Sequence, residues 1–416
     1  MIRSSNHTTK FANPLKLKRL SRFVDEYRRV GQIIIDTIWA NGYDSFIPLK
    51  DQLNCPKYLD YNRFDVETDI SPRAMSSLTT QICAALSAST KKRKKLLYTK
   101  SKLIDENIPT KSIDRLLTKY IIVKPDCRYM NPELSSKCSD IESGKSFDYF
   151  LRIKCIGKSY GHIKIPLKHT KMSLKWLKSG KPLTSYSLTT SSISLRFEIK
   201  PSRTTIGTKV IGVDQGMKDV ATCSDSQTTP KTDAHGHSLE FIINKLSRKK
   251  RGSRAFEKTQ SHRKNFINWS INQLNFNDAK EIRLEKIWNI GYKNRTSRKL
   301  SHWTNTLIRD KIIGKCEELE VPVIEQDSTY RSQRCFNCGL VRKANRKGKL
   351  YKCKKCGYEA DADFNASLNH SIDLPDIDWR FRGKGHNLGK GFRWTPTGLF
   401  NLDGSELRVP VSNKQG

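Results

Sequence analysis

The chain has no apolar run of about 18 residues, the length a membrane-crossing helix needs, so no such helix is expected. Its first residues, Met1-Ile-Arg-Ser-Ser-Asn, lack the apolar core of a secretory signal. No lipidation motif and no long basic amphipathic helix with an aromatic face is present, which argues against a membrane partner. Acidic residues are scarce. There are 41 Asp and Glu against 77 Lys and Arg in 416 residues, a formal net charge of +36. Such an excess repels itself unless a polyanion is at hand, and nucleic acid is the obvious one. A solvated basic surface is the plainer alternative. Cysteine is not arranged as a disulfide framework. Seven of eleven (Cys55, Cys83, Cys127, Cys138, Cys155, Cys223 and Cys316) are scattered, and the total is odd.

What is present divides the chain by pattern. Residues 1–20 are basic and offer a strand. From 21 to 119 the apolar spacing is helical, with Phe23, Val24, Tyr27, Val30, Ile34 and Ile38 on one face and Met75, Leu78, Ile82 and Leu86 on another. The second helix runs from Pro72 to about Leu97 and ends in a run that includes Lys91, Lys92 and Arg93. That run suits either a solvated face or a phosphate backbone. A third helix is expected at 103–120. Residues 120–205 change to short alternating runs, such as Phe147–Cys155 and His162–Leu167, and read as a small β-barrel or sandwich. From 206 an α/β pattern begins: strands at 209–214, 220–224, 281–287 and 321–327, a basic helical stretch at 239–275 carrying Arg248, Lys249 and Arg251, and helices at 301–319 and 363–372. Residues 373–416, rich in Gly, Pro and Asn, read as an irregular or disordered tail.

Two groups carry chemistry. Cys335-Phe-Asn-Cys338 and Cys353-Lys-Lys-Cys356, each followed by glycine, have the spacing of a tetrahedral thiolate site for Zn²⁺. The loop between them is basic and includes Arg342 and Lys343; Arg331 precedes it. Four thiolates leave no open position, so such a zinc is structural. The second group is Asp214, Glu285 and Asp363, three carboxylates on separate elements. Hydrolysis of a phosphodiester by two Mg²⁺ ions needs hard oxygen ligands converging in this way. Taken singly, each reads as a turn, surface or capping residue.

At these residues the chain resembles a known family. Ile211-Gly-Val-Asp214-Gln-Gly-Met-Lys-Asp-Val-Ala-Thr222 resembles the first RuvC motif of the TnpB family, the transposon-encoded RNA-guided nucleases related to miniature type V CRISPR effectors. Arg331-Ser-Gln-Arg-Cys335-Phe-Asn-Cys338-Gly resembles its first cysteine segment. Cys353-Lys-Lys-Cys356-Gly-Tyr-Glu-Ala-Asp-Ala-Asp363-Phe-Asn-Ala-Ser resembles its closing stretch, in order and spacing. The resemblance covers roughly residues 208–372; the N-terminal half matches only in layout.

It implies a multidomain α+β protein: a wedge strand at 1–20, a helical recognition lobe at 21–119 and a β-barrel wedge domain at 120–205. An RNase H-like RuvC α/β nuclease domain would follow at 206–334 and 359–372, interrupted by a zinc ribbon at 335–358. It implies Asp214, Glu285 and Asp363 as ligands of two Mg²⁺ ions, and Cys335, Cys338, Cys353 and Cys356 as ligands of Zn²⁺. The implied partners are a guide RNA and a double-stranded DNA target, bound by a monomer or by a homodimer on one RNA. The implied location is the cytoplasm of a prokaryote, or the nucleus of a eukaryote. Lys91, Lys92, Arg93, Arg248, Lys249, Arg251, Arg331, Arg342 and Lys343 are the expected nucleic-acid contacts.

Two departures stand out. Lys286 follows Glu285 where the family has Asp, and Glu281, four residues earlier on the same side of a strand, rivals Glu285. Gln215 replaces an apolar residue. The expected activity is RNA-guided DNA cutting. The alternatives are an RNA-guided DNA binder that does not cut, a transposase or resolvase-like enzyme without RNA, and a basic zinc-ribbon RNA-binding scaffold.

Overall fold

The computed structural model describes residues 1–42, 55, 57–154, 162–201, 203, 207–287, 297–377 and 391–407. It falls into two compact units, Met1–Lys200 and Pro201–Gly416. Cys155 and parts of the C-terminal tail lie outside the described residues.

In the first unit, β1 (Ile2–Thr8) leads into α1 (Pro14–Asn41). The helix starts at Pro14 because Asn13 caps it, its side chain accepting from the Lys16 N–H at 2.9 Å. Residues 14–20 are therefore helix rather than the wedge strand expected to 20. After α2 (Pro72–Asp105) and α3 (Lys111–Lys119) come the short strands β2 (Glu133–Leu134), β3 (Ser139–Ser143), β4 (Tyr149–Ile153) and β5 (Ile163–Leu167). Then come α4 (Lys171–Ser179), β6 (Gly180–Leu188) and β7 (Ser192–Ile199). Helix α2 runs straight through the basic stretch, since Lys and Arg are good helix formers and nothing there breaks the pattern.

The expected barrel is not seen among the described residues. The strands form two open antiparallel sheets, β1-β7-β6-β2 and β3-β4-β5. Strand β5 is an edge, and Pro166 within it has no N–H to extend the ladder. Both sheets and the long helices share one apolar core, from Leu20, Tyr27 and Ile34 through Leu78 and Ile82 to Leu151, Ile165 and Phe197. Arg93 does not reach freely into solvent: its guanidinium donates to the carbonyls of Leu117 (3.4 Å) and Tyr120 (3.2 Å) at the end of α3.

The second unit begins with β8 (Lys209–Gln215) and β9 (Ala221–Cys223), followed by α5 (Leu239–Ser247), α6 (Arg254–Gln273) and β10 (Ala279–Lys286). It continues through α7 (Asn305–Glu318) and β11 (Val323–Asp327). The sheet order is β11-β10-β8-β9, with β8, β10 and β11 mutually parallel and β9 antiparallel. Parallel central strands need both faces covered, which explains the apolar run of β8, whereas β10 alternates, with Ile282 and Leu284 buried between charged residues. One core joins Ile211, Val213, Ile282 and Leu284 to Ile242, Ile267 and Ile308 of the helices.

The cysteine segments lie beside β12 (Leu340–Val341), β13 (Arg346–Lys347), β14 (Leu350–Lys352) and β15 (Glu359–Asp361), and α8 (Ala362–Ser371) follows. The tail is ordered where it is described, contrary to expectation. Strand β16 (Phe392–Thr395) pairs with β12 and β17 (Gly398–Phe400) pairs with β16, and Phe392, Trp394 and Leu399 build a small core with Val341, Leu374 and Ile377. No helix among the described residues is long and apolar enough to cross a membrane.

Candidate functional site

Strands β8 and β10 are adjacent and parallel, with Val213 opposite Leu284, so their next residues, Asp214 and Glu285, come together at one end of the sheet. Helix α8 lies directly on β8. A Cβ at Gly212 would stand 2.1 Å from the Ser367 carbonyl oxygen and 2.4 Å from the Ser371 nitrogen, so only glycine permits this approach. The helix packs with polar residues: Asn365, Ser367, Asn369 and His370 are all buried.

Three side chains, Asp214, Glu285 and His370, bring ligand atoms within 4.8 Å of one another. Burial holds the Asp214 carboxyl well above the ordinary carboxylate range, with Glu285 and Asp363 adding to the effect. Burial likewise pushes Glu285 up to about 7, with Asp363 and Asp327 adding. Burial pulls His370 down to about 3, so it is a neutral imidazole, and its buried Nδ1 has no hydrogen-bond partner. Two carboxylates beside a neutral imidazole with an orphaned nitrogen make a donor set that fits a divalent cation.

Asp363 enters from the first turn of α8, whose N-cap Asp361 accepts from the N–H groups of Asp363 (2.9 Å) and Phe364 (3.1 Å). Its Oδ1 accepts from Arg346 at 3.0 Å and its Oδ2 from Lys349. Both cations belong to the β13–β14 hairpin of the cysteine region. Lys349 also binds Asp219 at 2.5 Å. Burial lowers the Lys349 ammonium, but Asp219 and Asp363 outweigh it and hold the pKa at about 12.

Glu281 is elsewhere. It pairs across the ladder with Val210, and its carboxylate accepts from Arg283 Nε at 2.5 Å. Gln215, the second departure, has a use: its Nε2 donates to the Glu285 carbonyl at 3.1 Å, tying β8 to β10 beside the carboxylates.

The four cysteines converge. Cys335 and Cys356 sulfurs are 3.7 Å apart and Cys338 and Cys353 sulfurs 3.6 Å, all four lying within 4.8 Å of one another. A tetrahedral zinc with bonds of about 2.3 Å has S–S edges of about 3.8 Å, so the cluster fits Zn²⁺. Each CxxC turn closes on a glycine in the left-handed region, Gly339 (φ 73°) and Gly357 (φ 75°). Asn365 and Asn369 fasten this cluster to α8. Their amides donate to the Arg334 carbonyl at 2.9 and 2.8 Å, and Asn365 Oδ1 accepts from the Phe336 N–H at 3.2 Å.

Among the expected nucleic-acid contacts, Lys91, Lys92, Arg248, Arg251, Arg342 and Lys343 are exposed, and Lys249 is half-buried. Arg331 is not on the surface. It is 2% exposed, stacks on Trp394 at 5.2 Å, and donates to the Asp327 carbonyl at 3.0 Å and to the Asn369 and Ile372 carbonyls at the end of α8. A cation at a helix C-terminus satisfies carbonyls the helix itself cannot. Sequence reasoning missed His370, Arg346 and Lys349. Only His370 left a signal, seven residues or about two turns after Asp363 on the same helix.

Residues 307–370 match the Cas12f1-like TNB domain family, which bears out the resemblance to TnpB and the miniature type V effectors. The chain is 35% identical over 144 residues to a CRISPR-associated endodeoxyribonuclease Cas12f1 of Sulfoacidibacillus thermotolerans, covering 34% of this chain and 33% of that one. It is 28% identical over 127 residues to the Cas12f1 of Syntrophomonas palmitatica, covering 23% and 25%. The matched stretch thus spans a third or less of these relatives' length. Among solved structures, a Cas12f1–sgRNA–target DNA complex is similar with a TM-score of 0.49 at 14% identity, covering 86% of this chain and 82% of that one. The mini RNA-guided endonuclease CRISPR-Cas_phi3 is similar at 0.44 and 9%, covering 89% and 92%.

Proposed function

We propose that the chain is an RNA-guided DNA endonuclease of the type V kind, cutting guide-complementary DNA beside a short flanking motif at a single carboxylate site. The observation that carries this reading is the meeting of Asp214 and Glu285 at the sheet end, beside a helix whose first turn bears Asp363. A mixed sheet with helices on it, as in RNase H-like nucleases, supplies that arrangement. The curated relatives, named as endodeoxyribonucleases, agree with it over the part they share.

Asp214, Glu285 and Asp363 would hold the Mg²⁺ ions, and His370 is near enough to join them. When bound, Mg²⁺ supplies a nucleophilic water and neutralises charge on the leaving oxygen. The chain's own residues do the rest. Gly212 lets α8, the helix whose first turn bears Asp363, approach β8 closely. Arg346 and Lys349 hold Asp363 in place and add positive charge where a phosphate must come. The zinc ribbon anchors the hairpin that carries both cations. Attack of water on phosphorus, with loss of the 3′ oxygen, leaves a 5′-phosphate and a 3′-hydroxyl.

Sequence would be read by RNA–DNA pairing, and the protein would read backbone shape and the flanking motif. The exposed lysines and arginines would contact phosphates. The test is to express the chain with its native flanking DNA and sequence the RNA that co-purifies. One discrete structured RNA with a variable end, able to direct cutting of matching DNA, supports the proposal. Heterogeneous or absent RNA overturns it and points to an enzyme acting on DNA ends alone or to a scaffold.

A further inference from the structure

A second group of metal-ligand side chains lies away from the carboxylate site and the cysteines, where a short hairpin meets α6. Thr232 and Ser238 bridge across the hairpin. Inside it, the Asp233 N–H donates to the His237 carbonyl and the Gly236 N–H to the Asp233 carbonyl, each at 3.0 Å. Gly236 takes φ +76°, which glycine adopts freely. The Asp233 carboxylate is locked by its own turn: Oδ1 accepts from the N–H groups of His235 (2.9 Å) and His237 (3.0 Å).

Only Oδ2 remains, and two imidazoles face it. His262 Nε2, from α6, is 2.9 Å away, and His237 Nδ1 is 3.7 Å away. The three ligand atoms all lie within 4.8 Å of one another. The His237 ring is held flat against Phe241 of α5, with centroids 4.9 Å apart and planes at 10°, and it meets the His262 ring edge-on at 5.4 Å. Rotation of His237 away from the group is thereby restricted.

An ordinary Asp–His hydrogen bond accounts for His262. It does not account for His237, whose Nδ1 is buried without a hydrogen-bond partner. Leaving a buried polar nitrogen unpaired costs its full desolvation, and a ligand shared by both rings and Oδ2 removes that cost. Tetrahedral ligation with bonds of about 2.0–2.1 Å places neighbouring donors about 3.3 Å apart, between the two distances found here.

We propose that Asp233 Oδ2, His237 Nδ1 and His262 Nε2 form a second metal site for a divalent transition ion of the zinc class, with water in the fourth position. Two imidazoles and one carboxylate favour Zn²⁺, Co²⁺ or Ni²⁺ over Mg²⁺ or Ca²⁺, which take oxygen ligands. The Oδ1 bonds are the outer support that orients a ligating carboxylate. The ion pins the hairpin to α6 and braces α5 against it. Between those helices runs the basic segment with Arg248, Lys249 and Arg251, so the site is a staple for an expected nucleic-acid surface.

The experiment measures zinc in the purified full-length chain after gel filtration with Mg²⁺ in excess, for the wild type, His262→Gln and His237→Ala. The cysteine cluster is the internal reference. The expected result is the loss of one zinc per chain in both variants and a lower melting temperature, with far-UV circular dichroism unchanged. Equal zinc content in wild type and folded variants overturns the proposal. A Co²⁺ titration of the wild type keeps it open to refutation should a variant fail to fold. Ligand-field absorption without a thiolate charge-transfer band, arising apart from the cysteine-site signal and suppressed by stoichiometric Zn²⁺, supports the site. A titration showing only the thiolate species overturns it.

Discussion

Lys349 bridges Asp363 and Asp219, so a lysine of the β13–β14 hairpin grips a carboxylate of the proposed catalytic group. Magnesium held by the proposed group would have to compete with that ammonium for Asp363. Two unit charges about 4 Å apart interact by about 4 kcal/mol at the effective dielectric of a protein surface, part of which metal binding must replace. Lys349→Met is therefore expected to lower the Mg²⁺ concentration needed for half-maximal binding by about tenfold, while slowing cutting because the hairpin loses its tie. Isothermal titration with Mg²⁺ alongside single-turnover cleavage checks both. An unchanged Mg²⁺ requirement contradicts the competition.

The raised carboxylates give a pH dependence whose sign is fixed. Glu285 sits at about 7 in the folded chain against an ordinary 4.5, so the folded state holds a proton that the unfolded state releases. Its contribution to stability is full below about 4.5 and is lost as pH rises through about 7. Without Mg²⁺, the melting temperature should fall over that window; saturating Mg²⁺ or Glu285→Gln should flatten the fall. Thermal melts across pH 5–8, a range set by these values, check it.

Zinc removal should reach the carboxylate site through Asn365 and Asn369, which fasten α8 to Arg334 and Phe336. Cys335→Ser, or a thiolate-competent chelator, is expected to lower the melting temperature and abolish cutting. Guide RNA binding through other surfaces should persist. The comparison is of melting curves and RNA gel shifts with and without chelator.

Arg331 and the exposed pair Arg342 and Lys343 should separate cleanly. Arg331→Ala removes a buried cation that satisfies carbonyls at the end of α8, and should cost roughly 2–4 kcal/mol of stability. The salt dependence of nucleic-acid binding by the surviving folded chain should not change. Arg342→Ala and Lys343→Ala should leave stability alone and each reduce the slope of log affinity against log salt by about 1. Urea unfolding and binding titrations from about 50 to 200 mM salt decide between them.

The legible parts of this chain were those whose chemistry repeats at short spacing. The CxxC pairs announced a thiolate cluster, and the apolar run before Asp214 announced a buried strand. The parallel pairing that sets Asp214 beside Glu285 joins segments about seventy residues apart, and β-strand periodicity alone left Glu281 open as a rival. The pairing of the tail is hidden in the sequence for the same reason. Phe392-Arg-Trp-Thr is a short alternating run among glycines, and its partner strand Leu340–Val341 lies some fifty residues earlier. Arg331 looked like a surface cation because nothing nearby in sequence shows that Trp394 and the end of α8 close over it. The ion pairs of Arg346 and Lys349 with Asp363 depend on how the hairpin folds back, which spacing does not encode.

The most direct test is cleavage of a guide-matched DNA duplex in Mg²⁺ by the wild-type chain and by Asp214→Ala, Glu285→Ala, Glu281→Ala and Asp363→Ala. The first, second and fourth variants are predicted to bind RNA and DNA normally and to cut at less than about a hundredth of the wild-type rate, with Glu281→Ala cutting. Wild-type cutting in Asp214→Ala or Asp363→Ala, or cutting lost in Glu281→Ala but kept in Glu285→Ala, would contradict the assignment of the site.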